Sequence, residues 1–209
     1  YGAEDNFIEA CKKADFIGGL PDRDSSHRKH IEMLFDLAVE LDKPIDIHVG
    51  QNNVPTEKET ELVLDIIEEY DLKQKVSLVH CISLACQKEE YIRQQARRMK
   101  LLEVDVIVCP SAAISMTQDN KQVSPIHNSI APVSVLLENG VDVGLGIDNI
   151  QDIFMPFCDG NLEFELRLLA EATRIYDPET LIKIATNTMG FSETQIEDPS
   201  PEANYNTNN

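Results

Sequence analysis

Three residues able to ligate a metal stand at the ends of apolar, strand-like runs. His48 closes Pro44-Ile45-Asp46-Ile47-His48-Val49-Gly50, and the polar Gln51-Asn52-Asn53 follows at once. Lys75-Val76-Ser77-Leu78-Val79 runs into His80, and Val141-Asp142-Val143-Gly144-Leu145-Gly146-Ile147 runs into Asp148-Asn149. In a parallel α/β barrel every strand opens its carboxyl end onto one face, where active sites are built. Two imidazoles and a carboxylate delivered there by three strands form a borderline-hard metal site of the kind that activates water. The chemistry to expect is metal-dependent hydrolysis.

Five short runs rich in Ile and Val are available to position these residues: 14–19, 45–49, 76–80, 105–109 and 141–147. Helical patterns lie between them. Ile31, Leu34, Phe35, Ala38 and Leu41 keep the spacing of one helical face, and Leu62, Val63, Ile66, Ile67 and Tyr70 do the same. Thr56 with Glu59 three residues on reads as a capping box opening the second of these helices. A third helix is predicted from about Leu84 to Leu102, and a fourth starts at Pro132 and stops at Asn139-Gly140. Two more follow, from about Leu162 to Ala172 and from Asp177-Pro178 to near Met189-Gly190. Strand–helix alternation with short connections means a parallel sheet. Gly144-Leu145-Gly146 sits inside a strand with no glycine or helix after it, so a nucleotide-binding phosphate loop is not indicated. Polar strand ends favour a (β/α) barrel of the TIM type. A complete barrel has eight strands and typically ~250 residues, so an incomplete barrel is expected over residues 1–192, about its last five strands. Residues 193–209 are polar, rich in Asn, and are read as a tail.

The chain has 209 residues, 42% of them apolar, which suits one globular domain with a sizeable core. A formal charge of −19 repels phosphate backbones and anionic lipid heads, so neither nucleic acid nor membrane is an expected partner. No signal peptide and no apolar stretch of ~20 residues is evident, and a cytoplasmic protein is expected. Cys11, Cys81, Cys86, Cys109 and Cys158 show no CxxC pairing and read as reduced thiols used as small hydrophobes.

Four stretches resemble the amidohydrolase superfamily, specifically its cytosine deaminase-like branch, over about residues 17–191. They are Gly18-Gly19-Leu20-Pro21; Ile45-Asp46-Ile47-His48-Val49-Gly50; Val79-His80-Cys81 followed by Cys109-Pro110-Ser111; and Val143-Gly144-Leu145-Gly146-Ile147-Asp148-Asn149 with Asp152, Pro156 and Asn161-Leu162. The resemblance implies that His48 is the metal-binding histidine of the fifth barrel strand. It implies that His80, on the sixth, binds a second metal or the substrate and hydrolytic water. Asp148, on the eighth, would bind metal and take a proton from the attacking water. Gln51, Asn149 and Asp152 would contact substrate at the mouth of the pocket. The implied cofactor is a divalent metal, zinc or iron, and the implied substrate a small nitrogen heterocycle or cyclic amide.

Two departures from the family pattern matter. The first-strand His-x-His pair is absent from this sequence; the nearest pattern, His27-Arg28-Lys29-His30, opens an apparent helix and reads as exposed. The deaminase branch carries Glu three residues after the fifth-strand histidine, and Gln51 stands there. An amide donates a hydrogen bond but does not shuttle a proton at neutral pH. Three readings stay open: a deaminase-like or cyclic amidase-like hydrolase, probed as a fragment; a non-catalytic member of the family; and a half-barrel that assembles with another chain. The exposed edges of such a half-barrel would make a homo-oligomer the expected state. His127 and Met116 are assigned to loops, with Met116 a candidate lining residue by resemblance.

Overall fold

Ile45, Ile47 and Val49 alternate with Asp46 and His48, and this alternation sorts one strand onto two faces. The computed structural model describes residues 3–115 and 130–187. Its strands are β1 (Ile17–Gly19), β2 (Ile45–Val49), β3 (Val76–His80), β4 (Asp105–Val108) and β5 (Val143–Leu145). All pair in parallel, and their order in space is their order in sequence. His48 lies beside Val79, Val79 beside Ile107, and Ile107 beside Gly144, which defines one inward row across four strands. The result is an open arc of a (β/α) barrel of the metal-dependent hydrolase type.

The outward row is sealed by helices. α2 (His27–Leu41) and α3 (Glu59–Tyr70) bury Leu34, Phe35, Val63 and Ile66 in one cluster with Ile45, Ile47, Val49 and Leu78. Gly19 is required by this packing, because a Cβ there would stand 2.2 Å from Leu34 Cδ1. α2 begins at Ser26, whose hydroxyl accepts from Lys29 N–H, and ends at Asp42 in the left-handed conformation. α4 (Glu89–Leu101), α6 (Val133–Glu138), α7 (Leu162–Thr173) and α8 (Pro178–Thr186) continue the outer layer, with a short α5 (Pro110–Ser115) after β4.

Several predicted boundaries move, each for a local reason. The helix predicted from Leu84 begins instead as a 3₁₀ turn, Ile82–Cys86, and α4 starts only at Glu89. Ile82 and Leu84 are buried beneath the end of β3, and Gln87 is extended, its amide bonded to the Pro55 carbonyl. The predicted capping box is absent: α3 starts at Glu59, and the Glu59 carboxylate turns away to accept Gly50 N–H at 3.0 Å. β1 and β5 are shorter than predicted, although ladder bonds run past β5 on both sides, from Val106 N–H to Asp142 and from Gly146 N–H to Val108. The predicted end of the last helix, Met116, His127 and the 193–209 tail lie outside the described residues. Among the described residues no helix is long and apolar enough to cross a membrane.

α1 (Ala3–Lys13) has no counterpart in the sequence reading. Lys43 holds its carboxyl end, donating to the carbonyls of Cys11 at 2.7 Å, Lys12 at 2.9 Å and Ala14. A cation there answers both the unpaired carbonyls and the helix dipole. Lys43→Ala is expected to cost about 1–2 kcal/mol and to speed amide exchange selectively in α1. Urea unfolding and hydrogen-exchange mass spectrometry check both; unchanged exchange in α1 would mean that Cys11 packing alone holds the helix.

Candidate metal centre

With Ile45, Ile47 and Val49 committed to the helices, Asp46 and His48 face the inside of the arc. His80 reaches the same place by a different route. It pairs in register with Val49, so strand parity alone would aim it at the helices. Instead His80 has φ +78 and Cys81 φ +51, and this left-handed ending turns the buried imidazole toward the inner mouth. Asp148, after β5, has φ +70. Left-handed non-glycine residues each cost about 1–3 kcal/mol and gather at functional sites.

The three side chains converge. His48 Nδ1 lies 3.1 Å from His80 Nε2, and His80 Nε2 lies 3.4 Å from Asp148 Oδ2. One ligand atom from each fits within 4.8 Å of the others. Zinc with bonds of 2.0–2.2 Å needs donors about 3.3–3.6 Å apart in a tetrahedron, close to the spacing found. Two nitrogens and one oxygen suit zinc or iron(II). His80 Nδ1 is buried without a hydrogen-bond partner.

Electrostatics favour a cation at this place. Burial, aided by the neighbouring His48, pushes the His80 imidazole down to about 4, so it is neutral and its lone pair is free near pH 7. Burial raises Asp148, with His48 pulling it back and Asp152 adding repulsion. Burial raises Asp46 as well, His48 opposes the rise, and Asp148 adds to it. A divalent cation supplies the positive charge that two partly exposed carboxylates and a neutral imidazole lack.

A cavity of about 450 Å³ runs down the inner face from His48 and Asp148 past Val79, Ile107 and Cys109 to Ser77. The other residues singled out in the sequence surround it less directly. Gln51 is buried in the loop after β2, its N–H donating to Glu57 Oε1 at 3.1 Å. Asn149 donates to Asp152, whose other oxygen accepts the N–H groups of Phe154 and Met155. Gln51, Asn149 and Asp152 do not line the inner-face cavity itself. Asp152 organises the loop after β5, and those N–H bonds hold its carboxyl below the usual range. His27 and His30 are half-buried rather than exposed, near Glu59 and Asp24 respectively, and neither joins the three converging ligands.

Sequence reading missed Asp46, Glu57 and Glu59. Asp46 was legible through its i, i+2 relation to His48 on one strand face. Glu57 and Glu59 carried no such signal. Their carboxylates take three consecutive N–H groups, of Gly50, Gln51 and Asn52, and so fix the loop leaving β2. Gly50 sits at φ +60, and a Cβ there would stand 2.7 Å from Ser83 Oγ.

No family model matches the chain. An uncharacterised protein of Haemophilus influenzae is 32% identical over 135 residues, covering 63% of this chain and 49% of that protein. A 5-methylthioadenosine/S-adenosylhomocysteine deaminase of Thermotoga maritima is 29% identical over 180 residues, covering 81% of this chain and 38% of the deaminase. The solved 5-methylcytosine deaminase of Klebsiella pneumoniae, liganded with 5-fluorocytosine, superposes with a TM-score of 0.79 over 89% of this chain and 46% of its own, at 19% identity. The fold is that of the Klebsiella deaminase's barrel. The chain spans half or less of the length of each of these relatives.

Two outcomes are expected from the loop after β2. Burial, then the charge of Glu59, raises the Glu57 carboxyl from 4.5 to about 7 against the pull of its two N–H bonds. The folded chain therefore binds more protons than the unfolded chain between those values. This contribution to stability is complete below about 4.5 and is lost as pH rises through about 7. Glu57→Gln is expected to flatten that fall, seen as urea midpoints at pH 5 and pH 7.5 that differ less than in the parent chain. Gly50→Ala is expected to cost about 1–3 kcal/mol and to shift the backbone resonances of Gln51 and Asn52.

Proposed function

We propose that this chain carries the site of a metal-dependent hydrolase acting on non-peptide C–N bonds. The observation that carries this reading is the meeting of His48 Nδ1, His80 Nε2 and Asp148 Oδ2 within 4.8 Å at the carboxyl ends of parallel strands. His48 and Asp148 would hold zinc or iron, with His80 either a third ligand or the group that orients water. Bound there, a divalent cation supplies the Lewis acidity that lowers the pKa of water from 15.7 toward ~7. Asp148, raised by burial, would accept the water proton and pass it to the departing nitrogen. His80, neutral and 3.4 Å from Asp148, orients that carboxylate. Asn149, tied to Asp152, and Gln51 would contact substrate from the loops after β5 and β2.

The substrate class is a small nitrogen heterocycle or cyclic amide, in keeping with the named chemistry of the Thermotoga and Klebsiella proteins. Gln51 favours amide opening over ring deamination. Deamination needs a proton delivered to a ring nitrogen, which a carboxamide does not supply, whereas amide hydrolysis runs on Asp148 and the metal.

Protein purified without chelator is expected to contain zinc or iron by elemental analysis, below one per chain after dialysis, because three donors hold a metal less firmly than four. His48→Ala is expected to abolish that content. Asp148→Asn is expected to lower turnover of any cyclic amide substrate by ~10²–10⁴-fold. Gln51→Glu is expected to raise ammonia release from aminopyrimidines. Metal-free protein at every stage, with added zinc failing to bind, would remove the hydrolase reading.

A half-barrel that assembles with another polypeptide is favoured by one separate observation. Among the described residues β1 pairs only with β2 and β5 only with β4, so both outer edges lack a strand partner, although on β5 the Val143 carbonyl accepts from the Asn187 side chain at 3.2 Å. A homo-oligomer is then expected in light scattering coupled to gel filtration. A monomeric mass over a wide dilution range would count against it.

A further inference from the structure

An acid on the inside of this arc needs an explanation. Asp46 shares its face with Val79, Ile107 and Cys109, and an unpaired carboxylate is costly to bury. Lys75 lines the same cavity, but its ammonium is held by Asp105 Oδ2 and the Glu103 carbonyl, each at 2.8 Å. Among the described residues the basic group within 4 Å of the Asp46 carboxylate is His48, whose Nε2 lies 3.8 Å from Oδ1. Asp46 and His48 are two residues apart on one strand and face the same way. The nitrogen of His48 that meets His80 is the other one, Nδ1.

We propose that Asp46 is a positioning residue: it accepts the Nε2–H of His48 and so fixes the tautomer whose bare Nδ1 faces the metal centre. The inference rests on the proposed hydrolase reading and deepens it. A histidine ligand almost always donates its second N–H to a carboxylate, carbonyl or water, which orients the ring and raises its basicity. Asp46 Oδ1 and His48 Nε2 stand 3.8 Å apart on one strand face, and the proposal requires the Asp46 side chain to rotate so that this gap closes to hydrogen-bond length. In the metal-free chain, with Nδ1 of His48 bare, the 3.1 Å contact is a hydrogen bond donated by His80 Nε2–H, which a cation bound at Nδ1 would displace. That assignment leaves His80 Nδ1 without a proton. The buried, unpartnered His80 Nδ1 is then an acceptor without a donor rather than a stranded N–H, which is the less costly of the two. One acid at the foot of the strand thus sets the proton positions of both imidazoles.

The test uses the 209-residue chain labelled with ¹⁵N-histidine and stripped of metal. At neutral pH the His48 resonances are expected to show a protonated Nε2 and a bare Nδ1. In Asp46→Leu the preference for that tautomer is expected to vanish, and Asp46→Asn, which keeps an acceptor oxygen, is expected to restore it in part. Zinc affinity, read by competition with a chromophoric chelator, is expected to fall 10- to 100-fold in Asp46→Leu and less in Asp46→Asn. Circular dichroism and the urea midpoint show whether the variants fold. A protonated Nδ1 on His48 in the unsubstituted chain would overturn the proposal without any variant, and so would an Asp46→Leu protein that folds, keeps the tautomer and binds zinc as tightly. If the unsubstituted chain binds no zinc, the hydrolase reading fails, while the tautomer of His48 still decides the role of Asp46 on its own.

Discussion

Burial of Ile45, Ile47 and Val49 beneath α2 and α3 is the contact from which the rest of the centre follows. A strand offers two faces. Once the apolar one is sealed by helices, Asp46 and His48 have nowhere to point but inward. Parallel pairing of β2 with β3, of β3 with β4 and of β4 with β5 then brings the ends of β2, β3 and β5 to one side of the sheet. Full burial of a Val, Leu or Ile side chain is worth roughly 1.5–3 kcal/mol, and each of these three outward residues is at most 1% exposed. Slipping β2 by one residue would exchange the two faces and remove the centre altogether.

How far the sequence reveals this depends on whether a residue obeys its local pattern. His48 does: alternation along β2 predicts its face. The identity of His80 as a strand-end ligand was legible, but its direction was not, because parity sends it outward and only two left-handed residues bring it back. Such a turn has no sequence mark here, since neither His80 nor Cys81 is a glycine. Glu59 misled for a related reason. Its spacing from Thr56 matches a cap, yet the N–H of Gly50 and the imidazole of His27 compete for its carboxylate and win. α1 went unread although Phe7, Ile8 and Cys11 share a helical stripe; its docking depends on Lys43, more than two dozen residues away.

The loop leaving β2 shows a second kind of control, exerted from behind the site. The half-buried Glu57 and the buried Glu59 grip three successive N–H groups, and the charge of Glu59 is the cause, after burial, of the raised Glu57. His27 Nδ1 lies 2.8 Å from Glu59 Oε1. The loop carrying Gln51 is therefore held by hydrogen bonds to carboxylates, one of which, Glu57, has its pKa raised to about 7.

The open side between β1 and β5 has its own thermodynamic meaning. Water that reaches the inner cavity from that side softens every charge interaction between Asp46, His48 and Asp148. Any polypeptide that covered the gap would expel this water and deepen the electrostatic well for a cation. Linkage requires the reverse as well: a cation held by His48 and Asp148 would strengthen the hold of whatever covers the gap, by the same factor. Metal uptake and completion of the sheet would then be two readouts of one equilibrium, so the free zinc concentration would set how much of the chain is found in its assembled state.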